Sequence, residues 1–143
     1  MYRFDRIAAG VGLCILLCGC GGGNGLETAP ATGQVLYNGK PLPYGTVSFR
    51  PKAGSPATGV IQTDGSFTLT TYRNGDGAIL GMHEVLINAT EHDAGIAAPV
   101  QPDTEMLAPK SLIPEKYMSF STSGITAEVK QGEKNHFQIE MRD

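Results

Sequence analysis

From Thr32 onward the chain alternates apolar and polar residues with a period of two, the pattern of half-buried strands. Thr46-Val47-Ser48-Phe49-Arg50 sets it, and it recurs in Ser66-Phe67-Thr68-Leu69-Thr70 and Glu84-Val85-Leu86-Ile87-Asn88-Ala89. It returns in Ile125-Thr126-Ala127-Glu128-Val129-Lys130 and in His136-Phe137-Gln138-Ile139-Glu140-Met141-Arg142. Gln34 to Tyr37 and Gly59 to Thr63 complete seven predicted strands. The face expected to be buried carries Val35, Tyr37, Val47, Phe49, Val60, Phe67, Leu69, Val85 and Ile87, then Ile125, Ala127, Val129, Phe137, Ile139 and Met141. Asn38-Gly39 and Asp64-Gly65 fall between strand pairs and predict tight hairpin turns, because these residue types tolerate positive φ. Gln131 to Lys134 predicts a longer hairpin connection, and no window carries a helical stripe. Seven short strands in one small domain predict an all-β, antiparallel sandwich of two sheets.

One stretch breaks the rhythm. Between Thr90 and Gly124 there are four prolines, Pro99, Pro102, Pro109 and Pro114, and no sustained alternation. A loop this long inside a small domain is unusual, and 93–110 is expected to be its most mobile part. Leu112 to Tyr117 is expected to dock as a short helical turn with Pro114 at its first position. Ser121-Thr122-Ser123-Gly124 predicts a polar turn into the next strand.

The first twenty residues follow different rules. Arg3 and Arg6 precede an apolar run from Ile7 to Cys18, which has the length of a signal-peptide core and is short for a bilayer span. The run closes on Leu17-Cys18-Gly19-Cys20, which resembles the bacterial lipobox, with a leucine, a small residue and then the cysteine that is acylated. The chain is therefore expected to divide into a lipoprotein signal peptide (1–19), an acylated Cys20 with a glycine-rich tether (20–31), and a β domain (32–143). Several acyl chains on Cys20, palmitate among them, give stable membrane anchoring where one chain gives marginal binding. Gly21 is not the aspartate of an inner-membrane retention signal, which favours the outer membrane of a two-membrane envelope. The tether Gly21-Gly22-Gly23-Asn24-Gly25 reads as flexible.

Composition narrows the functional classes. Eleven basic residues stand against 14 acidic ones, and loss of Arg3 and Arg6 against Asp5 makes the formal charge of -3 one unit more negative. Phosphate binding usually shows as a basic excess, so nucleic acid is not an expected partner. All three cysteines, Cys14, Cys18 and Cys20, lie in the leader, so the body offers no disulfide, zinc knuckle or thiol nucleophile. The 19 glycines and 9 prolines fit many turns.

The candidate chemistry is sparse. His83 begins a strand, His92 lies in Glu91-His92-Asp93, and His136 alternates with Phe137 and Ile139, so the histidines read as scattered surface residues. His92 with Asp93 is the first choice should a metal bind, although no metal or other cofactor is expected. Arg73-Asn74-Gly75-Asp76-Gly77 lacks the following helix of a phosphate loop and the acidic spacing of a helix-flanked calcium loop, and reads as a wide turn. There is no Gly-x-Ser-x-Gly elbow, and the serines of 119–123 have no histidine nearby in sequence. Tyr44, Tyr72 and Tyr117, beside or within the Pro-rich stretch and the turns, form the candidate binding surface.

Two segments carry a family resemblance. Thr32-Gly33-Gln34-Val35-Leu36-Tyr37-Asn38-Gly39-Lys40-Pro41-Leu42-Pro43-Tyr44-Gly45-Thr46-Val47 resembles the opening of carboxypeptidase-regulatory-like domains, and Thr63-Asp64-Gly65-Ser66-Phe67-Thr68-Leu69 resembles their Asp-Gly-x-Phe-x-Leu signature. Gly81 to Ile87 sits where those domains have a Gly-x-Tyr-x-Val strand, with His83 in place of the tyrosine. Ile113 to Tyr117 and Thr122 to Val129 are similar to short lipoproteins of the planctomycete type. The resemblance implies a transthyretin-like, Greek-key β-sandwich and leaves the activity open. Transthyretin-like hydrolases carry a Tyr-Arg-Gly-Ser tail, where this sequence reads Ile139-Glu140-Met141-Arg142-Asp143. Relatives with a Lys–Asn isopeptide bond need a first-strand lysine, whereas Lys40 falls in a turn. The sequence thus leads to a lipid-anchored, non-catalytic envelope module for another envelope protein or a glycan. A small metal-dependent or transthyretin-like hydrolase is the alternative.

Overall fold

The computed structural model describes residues 25–95 and 110–143. The leader, Cys20 with the first part of the tether, and 96–109 of the Pro-rich stretch lie outside the described residues. The order is β1 (Thr28–Ala29), β2 (Ala31–Tyr37), β3 (Lys40–Pro41), β4 (Thr46–Pro51), β5 (Ala57–Val60), β6 (Ser66–Thr68), β7 (Ala78–Ile79), β8 (Gly81–Asn88), a 3-10 turn (Glu115–Met118), β9 (Ile125–Val129) and β10 (Asn135–Met141). The fold is all-β. Each of the seven predicted strands overlaps one of the seven longer segments, while β1, β3 and β7 are two-residue pairings.

One sheet runs β5-β4-β8-β9, antiparallel throughout. The second is built on β2, with β10 along one side and β3 and β6 sharing the other; β1 and β7 form a small separate ladder. Asn38 and Gly39, at φ 50° and 77°, turn β2 back into β3 as the sequence predicts. Alternation then selects what is buried. Val47 and Phe49 of β4, Val85 and Ile87 of β8, Val35 of β2, Phe67 of β6, and Ile139 and Met141 of β10 join one core. The Phe49 ring spans the two sheets, its centroid 6.2 Å from Phe67 and 5.3 Å from Phe137, both tilted. Gly33 makes this approach possible, since a Cβ there would lie 2.4 Å from the Phe67 ring and 2.3 Å from the Phe137 carbonyl.

The structure corrects several expectations. Val60, assigned to the buried face, is 63% exposed, and β5 instead turns Ala57 and Gly59 inward. Gly59 owes its place to close approach, because a Cβ there would meet the Thr68 carbonyl at 2.7 Å. Tyr37, Ile125, Ala127 and Phe137 are only half-buried, at the rim of the core. The pairing is not antiparallel throughout, since β10 lies parallel to β2 from Asn135↔Ala31 to Met141↔Tyr37. The 131–134 connection is therefore no hairpin: β9 and β10 belong to different sheets, and crossing between sheets frees β10 from the direction a hairpin would impose. The expected tether, too, is already structured before residue 31, because Ala29 and Ala31 are buried in the core.

The described part of the 90–124 connection is tied down. Leu112 N–H donates to the Ala89 carbonyl at 3.0 Å, and Glu91 N–H to Lys110 at 3.0 Å, so 110–112 runs beside the end of β8. Ile113 is buried, the expected short helical turn forms over Glu115–Met118 with Pro114 one residue ahead of it rather than at its first position, and Ser123 Oγ donates to the Val85 carbonyl at 2.5 Å.

Candidate functional site

The three candidate tyrosines do not share one patch. Tyr72 is 45% exposed, and its hydroxyl accepts the Leu26 N–H at 3.2 Å. Leu26 lies at the Asn135 end of β10, where Glu27 meets Gln131 at 2.5 Å and Asn135 Nδ2 reaches the Pro30 carbonyl at 3.2 Å. Tyr117 is half-buried at the opposite end. Its hydroxyl donates to the Arg142 carbonyl at 3.0 Å and accepts the Arg142 N–H at 3.1 Å. The seven-residue β2–β10 ladder, about 20 Å long at the usual strand rise, separates the two. Tyr44 sits in the crossover from β3 to β4, half-buried against the core.

Around Tyr117 the structure gathers groups that sequence reading did not single out together. Tyr37 Oη donates to Asp143 Oδ1 at 2.5 Å, and Asn38 Nδ2 donates to Asp143 Oδ2 at 2.9 Å. The hydrogen bond to Asp143, then a small desolvation and the carboxylate's charge, raise the Tyr37 hydroxyl above the usual tyrosine range. The Tyr37 and Asn38 bonds hold the Asp143 carboxyl below the usual carboxylate range. This end thus presents half-buried aromatic surface with a fixed, ionised carboxylate. Its only signal in the sequence was the parity that places Tyr37 beside Val35, because the partner residue is more than a hundred positions away.

The other candidates are spent on structure. In the 73–77 loop, Asp76 accepts backbone N–H groups from Thr71, Tyr72 and Arg73 at 2.7, 2.9 and 3.0 Å. Desolvation pushes its carboxyl up, and the three amides outweigh it, leaving the group below the usual range. Asp64 caps its turn through Ser66 Oγ and N–H, which lower its carboxyl in that order. Asn135 is buried and bonded at both ends of its amide, to Lys130 N–H at 2.8 Å and to the carbonyls of Pro30 and Lys130.

The histidines divide. His92 and His136 are exposed, and Asp93 turns its carboxylate back onto Thr90 N–H at 2.8 Å and Thr90 Oγ1 at 2.7 Å. Among the described residues no group of three or more His, Cys, Asp or Glu is placed to hold a metal. His83, expected at the surface, is 2% exposed. It shares inward parity with Val85 and Ile87, packs on Phe49 with centroids 5.8 Å apart, and donates Nε2–H to the Ile79 carbonyl at 2.6 Å. Its Nδ1 has no partner among the described residues. The parity itself was the missed signal, overridden by histidine's polarity.

No protein-family model, curated protein or solved structure matches this chain.

Proposed function

We propose that the protein is a lipid-anchored, non-catalytic module of the cell envelope that binds or scaffolds an envelope protein or a glycan. The observation that carries this reading is the basic, apolar leader closing on Leu17-Cys18-Gly19-Cys20 directly before a glycine run. The arrangement of the body supports it. The chain reaches the domain at Gly25 and Leu26, beside Tyr72, while Tyr37, Tyr117 and Asp143 lie at the far end of the β2–β10 ladder. An anchor attached ahead of Gly25 would hold the first end toward the lipid and present the second away from it. We read the two sheets as a Greek-key sandwich of the transthyretin-like, carboxypeptidase-regulatory-like kind, with its first and last long strands paired in parallel.

Fractionation of the native host tests the anchor. The full-length protein is expected in the outer-membrane fraction, and Cys20→Ala is expected to move it to a soluble or unprocessed inner-membrane pool. An outer-membrane pool unchanged by Cys20→Ala would overturn the reading.

A further inference from the structure

The hairpin that carries the chain from one sheet to the other lacks backbone hydrogen bonds in its middle. β5 pairs with β4 and β6 with β2, so two strands consecutive in sequence are drawn into different sheets. They still meet at both ends. Thr58 and Thr70 exchange two backbone bonds of 2.9 Å, and Gln62 N–H donates to the Ser66 carbonyl at 2.8 Å. Strand alternation turns the backbone groups of Val60 and Thr68 toward each other between these closures. No backbone bond joins them, and the Val60 carbonyl receives only Gln62 Nε2 at 3.3 Å.

A cleft of about 450 Å³ opens at this point, a size within the usual range for small-ligand sites. No ionisable side chain lines it. Its walls carry Thr46, Thr58, Thr68 and Asn74, none of which makes a side-chain hydrogen bond among the described residues. Val60 stands exposed on the rim, and buried Phe67 closes the floor.

We propose that this cleft binds the end of a neutral glycan, one or two sugar rings long, which rests on reading the body as an envelope binding module. A peptide strand needs an open-ended row of backbone groups, and here bonded pairs close both ends about 13 Å apart by strand rise. A charged ligand finds no counter-charge among the lining residues. A sugar ring offers hydroxyls to the unspent threonines, the Asn74 amide and the Val60 and Thr68 N–H groups, and a C–H face to Val60.

The test titrates the full-length protein in detergent micelles with cellobiose, maltose, lactose and N,N′-diacetylchitobiose, read by ligand-observed NMR. At least one disaccharide is expected to bind with a Kd near or below about 1 mM. Thr58→Val with Thr68→Val, outward-facing and β-branched like the originals, is expected to weaken it by about tenfold with an unchanged urea midpoint. Thr126→Val, outside the cleft, is expected to leave binding unchanged. Absence of binding by all four sugars at about 10 mM, or wild-type affinity in the double variant, would overturn the proposal. If the sugars fail while Cys20→Ala still displaces the protein from the outer membrane, the anchored module stands without this site; if Cys20→Ala has no effect, the envelope reading itself falls.

Discussion

Replacing Phe49 with alanine removes a fully buried ring at the contact between the two sheets. Phe49 is fully buried, with Phe67, Phe137 and His83 around it at centroid distances of 6.2, 5.3 and 5.8 Å. Burial of a phenylalanine that cannot be repacked is worth about 3–5 kcal/mol on truncation to alanine, a figure that already contains the edge-to-ring contacts. Small domains hold about 5–15 kcal/mol in all, so the variant is expected to lose a large share of its stability. At about 4–8 °C per kcal/mol for a body of this size, Tm falls by at least about 12 °C. Urea unfolding serves as the assay, followed by circular dichroism and by tyrosine fluorescence, which no tryptophan obscures. Phe120→Ala is the control. Phe120 is half-buried beneath the Arg50 guanidinium at 4.2 Å, a partly exposed contact worth about 0.5–1 kcal/mol. A Phe49→Ala cost below about 1 kcal/mol, or below that of Phe120→Ala, would refute the claim that this ring joins the sheets.

Two further outcomes follow from buried His83 and from Asp76, which is held by three backbone amides. His83→Leu keeps apolar volume but orphans the Ile79 carbonyl, so it is expected to cost about 1–3 kcal/mol in urea unfolding, while exposed His136→Leu stays within about 0.5 kcal/mol. Asp76 has its carboxyl held below the usual range in the folded state, so its contribution is complete above the unfolded carboxylate pKa and is lost as pH falls through the folded one. Asp76→Asn should therefore lower the urea midpoint at neutral pH and flatten its decline below about pH 4, and parallel acid limbs for variant and wild type would contradict this.

How much of this was legible in the sequence depended on which physical rule each feature obeys. Alternation placed Val47, Phe49, Val85 and Ile87 correctly because side-chain parity is local. It misplaced β5, where the inward residues are Ala57 and Gly59 and the visible hydrophobe, Val60, points to water. Parity also carries no information about strand direction, so the parallel β2–β10 ladder was beyond its reach. Candidate site residues fared worse for the same reason. Tyr117 is fixed by Arg142 and Tyr37 by Asp143, partners brought together only by topology. The missing mid-hairpin bonds had no sequence signature, since they arise from two neighbouring strands being claimed by different sheets.

The central claim is that Cys20 carries the lipid that places this domain at a membrane. Mass spectrometry of the protein purified from its native host measures this directly. The account predicts a chain beginning at Cys20, with the mass of residues 1–19 gone and acyl-glyceryl mass on that cysteine. A chain retaining residues 1–19, or a free thiol at Cys20, would contradict it.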